Sequence, residues 1–253
     1  MEQDLQKGSL WKRIAAAIFD GMLTAMIAVG IAFLLSLALD YDGHNARMNA
    51  AYEKYETQYG VTFEITAEQY AAMTEEEQVN FQSAYDALVA DEEAMYEYNM
   101  VINLMLLMTS VGILMGIVVM EFIAPLCFGN GQTLGKKIFG LCLMRTDGVK
   151  LNTLQLFTRT ILGKFAIETM IPVYILLLLF MGAADLFNLL LLVAITLAQV
   201  IIVVVTRNNS LLHDLLAGTV VVDYASQRIF TSTQDLIEHQ KRVAAERAAR
   251  EKY

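Results

Sequence analysis

Four stretches of this chain, residues 14–39, 101–126, 165–182 and 186–205, lack charge or nearly lack it. Each runs to about 18 residues or more, enough to cross a ~30 Å hydrocarbon layer at about 1.5 Å per residue. A freely soluble fold is excluded. Composition agrees, with 56% hydrophobic residues against roughly 45–50% in an ordinary soluble domain. The first stretch follows Lys7, Lys12 and Arg13 and ends near Ser36-Leu37-Ala38, which has the outline of a secretory signal. It is too long for one and carries Asp20 inside it, so a retained membrane anchor is expected.

The net charge of −9 is unevenly spread. Residues 40–98 hold fourteen acidic residues against Arg47 and Lys54, a local net of −12. Residues 129–164 carry Lys136, Lys137, Arg145, Lys150, Arg159 and Lys164 against Asp147 alone. Basic loops next to spans are retained on the cytoplasmic side. Residues 129–164 are therefore expected inside and the acidic loop outside, with both termini cytoplasmic, Arg207 following the last span, and residues 182–185 forming a tight external turn. A nucleic-acid partner is excluded, because no basic, aromatic-studded face exists. Cys127 and Cys142 fall on the cytoplasmic side, where a structural disulfide is not expected.

Residues 9–40 are thus read as the first transmembrane helix and 41–98 as an acidic extracellular insert. Residues 99–225 hold the rest of the membrane core, and 226–253 a charged helical tail beginning near Thr231. In the insert, Thr66-x-x-Gln69 and Thr74-x-x-Glu77 have capping-box form. The second opens a helix with Phe81, Tyr85, Leu88 and Val89 on its apolar face, expected to run on into the second span. The insert is either an electronegative vestibule that concentrates cations or a solvated helical cap without a ligand.

A carboxylate inside a span costs roughly 2.5–3.5 kcal/mol on insertion scales, so each needs a partner or a purpose. Asp20 and Arg13 lie two turns apart on one helix, too distant for an intrahelical pair. Arg13, Asp20, Glu121, Lys164, Glu168, His213 and Asp214 project to a single depth near the cytoplasmic surface. Asp20 is either a titratable cation or proton site or one half of a structural ion pair, with Arg13 of a neighbouring copy or with a basic residue at the surface. His213-Asp214 is either a proton relay or a pin for a short amphipathic helix capped by Ser210 and ended by Gly218. His44 and His239 lie elsewhere, so no zinc set forms. No nucleophile-and-base arrangement stands out, and neither catalytic residues nor a cofactor are expected.

Gly131-Gln-Thr-Leu-Gly135-Lys136-Lys137 invites a phosphate-loop reading and fails it. Three rather than four residues separate the glycine from the Gly-Lys pair, and Lys137 stands where Ser or Thr would bind magnesium. An interfacial turn with its lysines against anionic lipid heads is expected instead. After it, residues 141–145 and 149–151 flank Asp147-Gly148, a hairpin signal, and residues 219–223 offer a third strand. Small residues at Ala17, Gly21 and Ala25, at Ala28 and Ala32, and at Gly112 and Gly116 form ridges for close helix packing, within the chain or in a homo-oligomer.

These residues resemble the RDD family of bacterial membrane proteins. The resemblance rests on Arg13-x-x-Ala16-x-x-x-Asp20, on residues 131–140, on Asp147-Gly148 and Arg159, and on Leu212-His213-Asp214-Leu-Leu-Ala-Gly218-Thr219. It covers most of the chain outside residues 41–98, an insert longer than the family's usual external loop. It implies that Arg13, Asp20 and Asp214 are the family's name-giving residues, and that transport, including monovalent cation/proton exchange, is an activity of such proteins. The expected fold is an all-α membrane protein: a four-transmembrane-helix bundle with a helical extracellular insert and, on the cytoplasmic face, a small β-hairpin and an interfacial helix. The expected function is movement of a small ion or solute across a bacterial plasma membrane, with the lipid bilayer and monovalent cations or protons as partners. The competing expectation is a non-transporting adaptor that binds partner proteins through its external cap and tail.

Overall fold

A computed structural model describes residues 6–180, 186–206 and 208–250. Arg207 and the turn expected at 182–185 lie outside the described residues. Among the described residues, four helices are long and apolar enough to cross a membrane: Leu10–Ala38, Glu92–Phe128, Thr153–Leu179 and Leu186–Val205. The chain is an all-α membrane protein with one small two-stranded sheet. The first and last spans expose large apolar side chains such as Phe33 and Leu37, or Phe187 and Val204. Lipid is the solvent that suits such surfaces, since the helical backbone already satisfies its own polar groups.

The helices are α1 (Leu10–Ala38), α2 (Tyr41–Tyr59), α3 (Ala67–Ala71), α4 (Glu75–Ala90) and α5 (Glu92–Ile117). A π-helical segment π1 (Val118–Ile123), α6 (Ala124–Phe128) and α7 (Leu134–Ile138) follow, then strand β1 (Leu141–Arg145) and α8 (Thr153–Phe157). A second π-helical segment, π2 (Thr158–Met170), leads into α9 (Ile171–Phe180) and α10 (Leu186–Val205). The chain ends with α11 (Leu212–Ala217), β2 (Thr219–Asp223) and α12 (Thr233–Arg250). The second and third spans start well before 101 and 165. Charged residues expected outside the membrane continue these helices; of them Glu97 meets His44 and Arg47, and Arg159 and Lys164 meet Glu121.

The chain divides into two compact units, the first comprising residues 28–112. Asp40, in the left-handed region with φ 52°, turns the chain from α1 into α2. Both expected capping boxes form, at Thr66 with Gln69 and at Thr74 with Glu77. The insert core is Tyr55, Leu88 and Ala94 with Phe63 packed on it, and edge-to-face contacts link Phe63 to Tyr52 and Phe81. The buried face of α4 is Ala84 and Leu88, whereas Tyr85 and Val89 are exposed. Nor does α4 run on into the second span. Asp91 breaks the helix with an extended ψ of 105°, and its carboxylate then accepts the Ala94 N–H at 3.1 Å, restarting the chain as α5. That N–H, the Tyr55 hydroxyl and the Lys54 ammonium hold the Asp91 carboxyl down at about 2. Gly112 packs where a Cβ would lie 2.7 Å from the Ala28 carbonyl oxygen, the close approach that small-residue ridges permit.

The second unit holds residues 1–27 and 113–253. Its sheet corrects the expected hairpin. β1 pairs antiparallel with β2, Leu143 opposite Val221. Residues 149–151 do not form a strand. The Asp147-Gly148 turn does close, with the Arg145 N–H on the Val149 carbonyl at 2.9 Å. Only three residues then remain before Asn152 caps α8 through its own capping box with Gln155, and Val149 bridges Phe230 instead. Alternation sends Leu141, Leu143 and Val221 to one face against Ala16. Cys142, Met144, Val220 and Val222 fill the other. α12 is an exposed charged helix docked at its start by Leu236 against Val149 and Phe230.

Candidate functional site

Asp20 is 1% exposed, and both of its carboxylate oxygens are occupied. Oδ1 accepts the Gly135 N–H at 2.7 Å and Oδ2 accepts the Thr133 hydroxyl. Thr133 Oγ1 in turn accepts the Lys136 N–H, capping α7. The segment that looked like a failed phosphate loop thus wraps around a carboxylate of its own chain. Gly135 is required there, because a Cβ would lie 2.5 Å from the Ala16 carbonyl oxygen and 2.9 Å from the Asp20 carboxyl carbon.

Glu121 is also 1% exposed and lies in π1. Pro125 has no N–H to offer the carbonyl four residues back, which is that of Glu121. The Thr160 hydroxyl donates to it at 3.0 Å, while the chain shifts to longer-range helical bonding, Ala124 N–H to Val119 carbonyl. The Glu121 carboxylate meets three cations: Lys136 at 3.4 Å, Arg159 at 3.3 Å, and Lys164 in a shorter contact. Lys136 is therefore buried beside a carboxylate instead of facing lipid heads, a correction to the sequence expectation. Only Lys137 turns away, over the Phe128 ring at 4.2 Å.

The register of π2 explains the rest of the constellation. Arg159 and Glu168 are nine positions apart, which is two and a half turns of an α-helix and puts them on opposite faces. A helix with i→i+5 bonding has roughly 4.4 residues per turn, so nine positions complete about two turns. Arg159, Lys164 and Glu168 consequently share one face, turned toward Glu121 and α11. Gly163 lets α11 sit on that face, since a Cβ there would be 2.5 Å from His213 Cβ.

On α11, His213 and Asp214 meet this face. Glu168 Oε1 accepts the His213 backbone N–H at 2.8 Å, and Oε2 pairs with Nδ1 at 2.5 Å. Glu168 thereby caps the helix start from another element. The expected Ser210 cap does not form: Leu211 holds that position without a side-chain bond. Gly218 ends the helix at φ 63°, as expected. Arg159 donates to His213 Nε2 at 2.8 Å and to Asp214 Oδ1 at 2.9 Å. An arginine cannot accept, so this network assigns a neutral imidazole with its proton on Nδ1. Burial, then the Arg159 charge, lowers the His213 pKa from its usual value. Burial alone would raise that of Asp214, but Arg159 and His213, with hydrogen bonds from Arg159 and Thr219, hold it well below the carboxylate range. Lys136 is lowered as well, by burial and by its cationic neighbours against the pull of Glu121.

Arg13, Asp20, Glu121, Glu168, His213 and Asp214 all fall within this one unit, with Arg13 at the margin. Its guanidinium reaches the Asn208 carbonyl at 3.3 Å and Asp214 only at 4.0 Å. Its carboxylate partner belongs to another element of the same chain. Arg159 and Lys136 complete the constellation and were not among the residues expected to form it; the signal for both was their place in the segments that carry the family resemblance. Four cations and four carboxylates surround a neutral histidine, so the assembly carries no net charge. It forms the base of an open cleft of about 620 Å³ walled by α1 and α10.

A family model for the RDD family matches residues 7–218. No curated protein and no solved structure matches the chain. The matched residues contain the whole charge assembly, from Arg13 to Asp214 and the Gly218 that ends its helix, within a chain of four membrane-length apolar helices. The chain is a member of the RDD family of membrane proteins.

Proposed function

We propose that this protein exchanges a monovalent cation for protons across a bacterial plasma membrane, with both termini cytoplasmic and Glu121 as the exchanging carboxylate. Asp20 is the less suitable carboxylate, because Thr133 and Gly135 already occupy both its oxygens. The observation that carries the reading is Glu121: a carboxylate at membrane depth, shared by three cations, at the base of an open cleft. With the assembly neutral, an incoming cation at Glu121 must be matched by a departing proton. The Lys136 ammonium can supply it, becoming a neutral amine as the cation takes its place beside the carboxylate. Burial already opposes the charged form of that amine.

The test is flux. The protein is reconstituted into liposomes loaded with a pH dye; an inward sodium or potassium gradient should alkalinise the lumen as protons leave in exchange, and an outward gradient should acidify it. Glu121→Gln should abolish the response. If gradients of either ion move no protons through the wild-type protein, the exchange reading is wrong. The adaptor reading gains from one feature, the exposed charged face of α12. It would be favoured by absent flux together with co-isolation of a partner that depends on that helix.

A further inference from the structure

The cleft above the charge assembly has two kinds of wall, and together they define a ligand. Its sides are apolar: Ala17 and Gly21 from α1, Val200 and Val203 from α10. Both helices are long and apolar enough to cross a membrane, so these sides stand in hydrocarbon. α1 and α10 leave a gap here, since a Cβ on Gly21 would meet nothing within 4 Å. At about 620 Å³ the space matches small-molecule sites, which run to roughly 300–1,000 Å³.

At its polar end the cleft is lined by Arg13, Lys136, Arg159 and Lys164 against Glu121, Glu168 and Asp214, one cation in excess, and the basic donors are incompletely used. Arg13 has five N–H donors, yet among the described residues it makes one hydrogen bond, of 3.3 Å, and one distant pairing of 4.0 Å. Its side chain is 11% exposed, so water does little for the remaining donors. Lys164, at 29%, is the most accessible cation around Glu121. Further along α10, the Gln199 amide lines the cleft and has no hydrogen-bond partner among the described residues. An unpartnered amide at this depth is costly unless something polar reaches it.

We infer that the cleft between α1 and α10 binds an anionic phospholipid, its phosphate on Arg13 and Lys164, its glycerol ester region within reach of Gln199, and an acyl chain along Ala17, Gly21 and Val203. The occupant enters sideways from the leaflet on the N-terminal side, because the walls are membrane helices and the cations lie at their ends. Charge complementarity selects an anionic headgroup over a zwitterionic one. This site does not depend on cation exchange and stands whether or not flux is observed.

The full-length protein, delipidated in mild detergent, is titrated with phosphatidylglycerol, phosphatidylcholine or inorganic phosphate and followed by native mass spectrometry and thermal unfolding. One phosphatidylglycerol should be retained per chain, with roughly thirtyfold preference over phosphatidylcholine, from two basic side chains at about 1 kcal/mol each. Inorganic phosphate should leave the melting temperature unchanged. Gly21→Leu fills the apolar gap without touching the charge assembly, so it should abolish retention while the lipid-free melting temperature stays within about 2 °C. Arg13→Gln should cut the headgroup preference to about fivefold, the share left to Lys164. Equal retention of the two lipids overturns the inference. Stabilisation by phosphate alone, or undiminished phosphatidylglycerol binding in folded Gly21→Leu protein, overturns it as well.

Discussion

Arg159 is the residue on which the assembly turns, and its removal has a calculable consequence. Its guanidinium serves Asp214 at 2.9 Å, Glu121 at 3.3 Å and His213 at 2.8 Å. Arg159→Gln would leave the Asp214 carboxylate, 1% exposed, with Arg13 at 4.0 Å as its nearest cation. Removing one partner of a buried pair costs about 3–5 kcal/mol, because the survivor stays charged and desolvated. On the scale of a 150–250-residue domain, at about 2–4 °C per kcal/mol, that is a fall of roughly 6–20 °C in melting temperature. The control is the pair itself. Asp214→Asn alone should also destabilise, but the double variant should recover about 1–3 kcal/mol relative to the sum of the singles, since neither charge is then stranded. Thermal unfolding of the full chain in one detergent, followed by loss of helical circular dichroism, measures all four corners of the cycle. A fall below about 2 °C for Arg159→Gln, or strict additivity in the double variant, would refute the network as the source of stability.

Three further outcomes are expected. Because the folded His213 pKa is depressed, the unfolded chain takes up its proton first on acidification. That stability is present above the ordinary histidine value of about 6.5 and declines as pH falls below it. The melting temperature should therefore drop between pH 7.5 and 5.5, and the drop should shrink in His213→Gln; a flat wild-type profile contradicts the neutral assignment. Gly163→Ala places a methyl group 2.5 Å from His213 Cβ and should cost about 1–3 kcal/mol by displacing α11, whereas unchanged stability would mean that α11 has no fixed seat on π2. In a Cys127→Ser background, needed because Cys127 is exposed, Glu76→Cys should react with an impermeant thiol reagent added to intact cells, and labelling only after lysis would invert the topology.

What could be read from the sequence was what depends on near neighbours in the chain. Thr66 with Gln69 and Thr74 with Glu77 form their caps as written, because a capping box is closed within four residues. The four spans were legible because lipid imposes a length. The Asp147-Gly148 turn formed too, but turn chemistry says nothing about which strand lies alongside, and β1 chose a partner some 78 positions away. The helix cap on α11 was misplaced for a similar reason. Ser210 was the local candidate, and Glu168 from a distant helix took the role. Arg159 was invisible as a partner of Glu168 because α-helical periodicity separates them by half a turn, and only the π register brings them together. Lys136 follows a glycine in a basic loop and reads as a surface lysine until Glu121 is placed beside it.

The wide register of π2 has a physical rationale in the charges it aligns. A π segment gives up favourable α-helical geometry, and a lone charge in a span costs a few kcal/mol, so neither feature would persist by itself. Together they are compensated. The widened turn lets Arg159, Lys164 and Glu168 face one side, and on that side each finds an opposite charge or a histidine. The three residues that the family resemblance singles out, Arg13, Asp20 and Asp214, are unequal here. Asp20 is consumed by the loop that wraps it, and Asp214 by Arg159 and Thr219. Arg13 is the member whose hydrogen-bonding capacity exceeds what the described residues supply. A half-buried guanidinium with donors to spare among the described residues is the least settled group in an otherwise neutral assembly. It faces the cleft, and that is where an external ligand completes the balance of interactions.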